Sequence, residues 1–134
     1  MIAAMLVSAL LQSGGTHWDA VKLEDMGWTG RRGNDEALLF TRPAMGAPAS
    51  LKRIWARYER HPGKAGANPH ASSVQLWDVD CSQMRGKLRA QTLYSANNLA
   101  GASHSPHAAA EPEWTFSTPG SLQETLFETA CAAG

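Results

Sequence analysis

The sequence predicts an α+β domain: an antiparallel β-sheet of about five to six strands, one C-terminal helix packed on it, and one disulfide. Three observations carry that reading. Two apolar–polar alternations, Val74–Ser82 and Lys87–Ala96, are joined by only four residues, the pattern of an antiparallel hairpin. The stretch after Thr118 combines helix-start signals with an apolar stripe at helical spacing. The two cysteines of the chain, Cys81 and Cys131, fall on the first alternation and beside that stripe.

The 134 residues make one domain of ordinary size. Twelve basic residues balance twelve acidic ones, which argues against a nucleic-acid partner, since such proteins carry a basic surplus or stripe. With 43% hydrophobic and 18% charged residues, the chain is neither disordered nor membrane-embedded throughout. Five tryptophans outnumber the phenylalanines and point to packed aromatic anchors.

Residues 1–15 read as a signal peptide and residues 16–134 as the mature domain. The run MIAAMLVSALL carries no charge and is too short for a bilayer core of about 30 Å, which takes roughly 20 residues. It matches a secretory h-region, and Gln12-Ser13-Gly14-Gly15 supplies small residues for a cut after Gly15. No Lys or Arg precedes the run, so either the initiator amine is the n-region charge or the true start lies upstream. The competing reading is a buried N-terminal strand or helix. Export predicts that the mature chain acts outside the cytoplasm, with no transmembrane span once the signal is removed. No cysteine lies near this segment to take a lipid anchor.

Two cysteines in an exported chain make one disulfide, Cys81–Cys131, and the absence of a CxxC excludes zinc-ribbon and thioredoxin-type readings. The alternative is a pair of buried free thiols.

The elements follow in order. His17–Leu23 alternates and gives the first strand candidate. A turn punctuated by Gly27, Gly30, Gly33 and Asn34 follows, with Trp28 opening a short second strand. Ala37–Thr41 is an apolar strand stopped by Pro43, which lacks a ladder donor. Pro43–Ser50 is a loop of small residues. Leu51–His61 fits both periods: Ile54, Ala56 and Tyr58 share a strand face, while Leu51, Ile54, Trp55 and Tyr58 would share a helix face. Pro62–Ser73 is a loop.

In Val74–Ser82, Trp77, Val79 and Cys81 oppose Asp78 and Asp80. In Lys87–Ala96, Leu88, Ala90, Thr92 and Tyr94 oppose Arg89, Gln91 and Leu93. Asn97–Pro112 is a long loop with a short edge strand near Leu99–Ala102. The helix starts either with Thr118 capping and Pro119 at its first position, or with Ser121 capping and Glu124 completing a capping box. Leu122, Leu126, Phe127 and Ala130 form its apolar face.

These pieces together resemble the surface-adhesin protein E family of exported bacterial proteins. The residues that carry the resemblance are Trp18, IWARY at Ile54–Tyr58 and SSVQLWDVDC ending at Cys81. LYSANNLAG from Leu93, EWTFSTPGS from Glu113 and ETAC ending at Cys131 complete the set. The resemblance spans about residues 16–131 and implies an antiparallel sheet flanked by a C-terminal helix and tied by one disulfide. It also implies that Leu51–His61 is a strand. The founding members bind host extracellular-matrix and serum proteins from the outer membrane, so a protein partner at the envelope or outside the cell is expected. The alternative is a periplasmic structural or small-ligand module. This chain has Thr41-Arg42-Pro43 where members place an acidic residue after an aromatic.

No catalytic constellation stands out. His104 and His107 form an HxxH pair near Glu111 and Glu113, but Ser105-Pro106 breaks helical spacing, so a solvated loop is expected and no metal. Asp78 and Asp80 share a strand face, but nothing else builds the cleft that paired carboxylates need; a solvated face opposite Arg53, Arg57 or Arg89 is expected. There is no GxSxG elbow, P-loop or GxGxxG run. The expectation is a non-enzyme without a cofactor. Lys52, Arg53, Arg57 and Arg60 lie along one strand candidate and are the expected partner-binding residues if they project from an exposed face. An edge strand invites pairing with a second copy, which leaves a homodimer open as an assembly.

Overall fold

The computed structural model describes residues 27–62, 70–107 and 110–132. The signal segment and the strand candidate His17–Leu23 lie outside the described residues. In chain order the elements are β1 (Thr29–Gly33), β2 (Ala37–Pro43), β3 (Lys52–Arg60), β4 (Ser72–Asp80), β5 (Arg85–Ala96), β6 (Ala100–His104), β7 (Thr115–Phe116) and α1 (Leu122–Ala132).

The strands pair as an antiparallel meander, β1-β2-β3-β4-β5-β6. The two-residue β7 pairs with the beginning of β5, Arg85↔Phe116 and Gly86↔Thr115. Since β4 runs along β5 from Tyr94 to Arg85, β7 takes the same outer edge that β6 uses further on. The ambiguous Leu51–His61 is a strand. It is paired on both sides, Ala56 with Thr41 of β2 and with Gln75 of β4. Two ladders decide what periodicity left open.

The β4–β5 hairpin closes through Cys81–Met84, and Asp80 organises the turn. Its Oδ1 accepts from the Ser82 backbone N–H at 3.0 Å and the Ser82 hydroxyl at 2.6 Å, while its Oδ2 accepts from Arg85 Nε at 3.0 Å. These bonds, Ser82 first and Arg85 second, hold the Asp80 carboxyl below its usual range.

A bulge then changes the face reading of β5. Leu76 pairs with Ala90 but Trp77 pairs with Leu88, so Arg89 is an extra residue on the longer strand. Leu88 packs toward the core, as does Leu93 beyond the bulge, beside Trp77 and Gln75. Ala90, Thr92 and Tyr94 therefore leave the face of Leu88, contrary to the simple alternation.

One face of the sheet carries α1. Leu39, Ile54, Ala56, Trp77 and Val79 pack against Leu122, Leu126, Phe127 and Ala130. Trp77 and Phe127 meet edge to face at 5.5 Å between ring centroids. Of the two helix starts, Ser121 supplies the cap: its hydroxyl accepts from the Glu124 N–H at 3.1 Å, and Glu124 Oε1 accepts from the Gly120 N–H at 3.1 Å. Cys131 bonds to Cys81 at the end of β4, with the Cα atoms 5.7 Å apart, so the disulfide ties helix to sheet.

Gly86 shows how closely the helix seats. A Cβ there would lie 2.8 Å from two atoms of the Phe127 ring and 3.0 Å from the Trp77 ring. Gly86→Ala is therefore expected to cost about 1–3 kcal/mol by overpacking, read as a lower urea midpoint at unchanged slope. An unchanged midpoint would mean that Phe127 moves aside freely.

Candidate partner-binding site

Period two distributes the four basic residues of β3 over both faces. Lys52 and Arg60 fall on the helix side at opposite ends of the strand, and Arg53 and Arg57 on the far side. Arg53 forms a two-point pair with Asp78, Nε to Oδ1 at 2.7 Å and a second nitrogen to Oδ2 at 2.9 Å. Arg89 Nε stands 3.6 Å from the same Oδ2. Asp78 is only 1% exposed, so it lies beneath two arginines rather than on a solvated face. Its bond raises the Arg53 pKa further above the ordinary arginine value.

Arg57 is withdrawn from the surface altogether. It is 1% exposed and Glu59 0%, and its Nε donates to Glu59 Oε2 at 2.7 Å. A second Arg57 nitrogen donates to Asn98 Oδ1 at 3.2 Å, and the guanidinium lies 4.6 Å over the Phe40 ring. Glu59 Oε1 accepts from Asn97 Nδ2 at 3.0 Å and from the Asn98 backbone N–H at 2.9 Å. The β5–β6 turn is thereby fastened to β3. It contains Asn98 at φ 64° and Leu99 at φ 56°, a conformation unfavourable for leucine. Ser72 completes the anchorage by accepting from the Leu99 N–H at 3.0 Å. This network ties the β5–β6 turn to β3 and holds Arg57 and Glu59 inside the fold.

A second feature lies at the start of β3. A cleft of about 400 Å³ opens between the β2–β3 loop and the last turns of α1. Pro43, Met45, Leu51, Ile54 and Ala130 make its apolar lining, and Arg31, Lys52 and Arg53 its cationic rim. Met45 is 92% exposed, well beyond Phe116 at 62%, the other large exposed apolar side chain among the described residues. The loop reaches this position through Gly46 at φ 90° and Ser50 at φ 71°. Lys52 forms no ion pair among the described residues. Of the residues lining this cleft, sequence reasoning singled out Lys52 and Arg53 but not Met45 or Arg31. The available signal was a methionine alone among Ala, Gly and Pro in a loop.

Over residues 37–132, from the first residue of β2 to the last of α1, the chain matches the family model of surface-adhesin protein E. The chain belongs to the surface-adhesin protein E family. No curated protein and no solved structure matches it.

The other groups considered for chemistry in this adhesin E-type domain stay apart. His104 ends the exposed β6, His107 is exposed, and no group of three metal-ligating side chains gathers among the described residues. Glu111 is solvated and stands 3.9 Å from Lys87. Trp114 lies under two cations, Arg85 at 4.1 Å and Lys87 at 4.6 Å, which holds the segment before β7 against β5. No helix among the described residues is long and apolar enough to cross a membrane.

Proposed function

We propose that this chain is an exported, non-enzymatic domain of the adhesin E type that binds a protein partner through the Met45 cleft. The observation that carries the reading is the exposed methionine over an apolar floor inside a rim of Arg31, Lys52 and Arg53. An apolar centre with a polar rim is the anatomy of a protein interface, and methionine adapts its shape to varied surfaces. Because the chain carries no net charge, attraction comes from this local patch. The partner segment that fits presents an apolar side chain flanked by carboxylates, as an extracellular-matrix protein could.

Residues 1–15 serve as the signal in this reading, and residues 16–134 act outside the cytoplasm. Protease shaving of intact cells separates surface display from the periplasm. Loss of the chain while a periplasmic control survives places it on the surface.

Binding is tested on a panel of immobilised extracellular-matrix and serum proteins. Met45→Asp and Lys52→Glu are each expected to weaken binding tenfold or more, about 1.4 kcal/mol. The lysine variant should act mainly on the association rate and lose its effect at high salt. Equal binding by both variants and the parent, or no binding by the parent to any panel member, retires this site.

A further inference from the structure

At the opposite end of β3 a second cleft, of about 440 Å³, opens on the helix side of the sheet beside the first turn of α1. That volume lies within the range of about 300–1,000 Å³ of small-molecule sites. Tyr58, Trp77 and Leu93 line its apolar part. One wall is fixed by a relay in which Trp77 Nε1 donates to Gln75 Oε1 at 2.8 Å and Gln75 Nε2 donates to Gln91 Oε1 at 2.7 Å. The cleft is thus held in shape by bonds that do not depend on a ligand.

Four polar side chains line this cleft with no side-chain partner: Tyr58, Arg60, Ser73 and Gln123. Arg60 is the informative one. Every other arginine among the described residues has a partner: Arg31 has Thr41, Arg32 has Thr125, Arg42 has Trp28, and Arg57 has Glu59. Arg53 and Arg89 share Asp78, and Arg85 has Asp80. Arg60 is half-buried, lines a cavity and has none. A partly desolvated cation is stabilised by an anion, and the planar guanidinium matches a carboxylate at two points. Tyr58 lies two residues before Arg60 on the same strand face, so its hydroxyl reaches the same side of the cleft. Burial pushes its pKa up to about 12, which keeps it a neutral donor at physiological pH.

We infer that this cleft binds a small molecule with an apolar body and one carboxylate, the carboxylate on Arg60 and Tyr58 and the body against Trp77 and Leu93. It lies at the far end of β3 from the Met45 cleft, so its failure leaves the partner-binding reading intact.

The test is a heteronuclear NMR titration of the purified protein with 3-phenylpropanoate and, separately, its uncharged analogue 3-phenylpropanamide. The acid is expected to bind saturably, with amide shifts gathered at Tyr58, Arg60, Leu93 and Gln123, and the analogue at least tenfold more weakly. Arg60→Gln should lose the preference for the acid, and Tyr58→Phe should weaken the acid several-fold. Arg60 has no side-chain partner to lose, so its variant should keep the parent's spectrum and melting temperature. Equal affinity for acid and amide, full binding by Arg60→Gln, shifts gathered at Met45, or no saturation by about 20 mM acid would each overturn the assignment.

Discussion

Glu59→Ala is expected to lower the unfolding free energy by about 3–5 kcal/mol, the cost of breaking a buried ion pair from one side. The residue is fully enclosed, and one carboxylate serves two elements. Oε2 accepts from Arg57 at 2.7 Å, and Oε1 accepts from Asn97 and the Asn98 backbone N–H. Alanine removes the countercharge of a guanidinium that is itself 1% exposed and takes an acceptor from the turn that holds Leu99 at positive φ. Each buried donor left without an acceptor costs about 1–3 kcal/mol. Glu59→Gln separates the contributions, because its amide oxygen can still accept at the turn while the charge is gone. It should fall between parent and alanine variant. Urea unfolding followed by tryptophan fluorescence gives both numbers. An alanine variant within about 1 kcal/mol of the parent would show that the pair contributes little beyond what packing supplies.

That network marks the boundary of what the sequence can disclose. The β4–β5 hairpin and the C-terminal helix with its Leu122, Leu126, Phe127 and Ala130 face were legible because each rests on local signals, and the disulfide because the chain has two cysteines and so one possible pairing. Arg57 and Glu59 looked like members of a charged strand, since their burial depends on a turn about forty residues away. Periodicity also failed at Arg89, because one inserted residue moves every later side chain to the other face and no residue type announces it. β7 has only two residues and pairs with a strand thirty positions earlier, too little for any pattern. For the candidate sites, composition identified the basic residues of β3. Which of them is consumed by an ion pair and which is left at a cleft is a property of the neighbouring strands.

Removing the disulfide should give the other large effect. Cys81 and Cys131 close a loop of 50 residues, which in the chain-entropy model amounts to about 4 kcal/mol. The loop contains β5, β6 and β7, so the unfolded chain regains much freedom when the bond is absent. Native contacts should change far less. Leu126 and Phe127 are fully buried against the sheet, and the edge-to-face contact of Trp77 and Phe127 does not involve the sulfurs. Cys81→Ala with Cys131→Ala is therefore expected to keep the near-ultraviolet circular dichroism of the packed tryptophan while its melting temperature falls on the order of 10–20 °C. Loss of the near-ultraviolet signal under native conditions would mean the opposite, that the helix is held by the bond and not by its apolar face. Folding of this chain would then depend on an oxidising compartment, where such bonds form and persist.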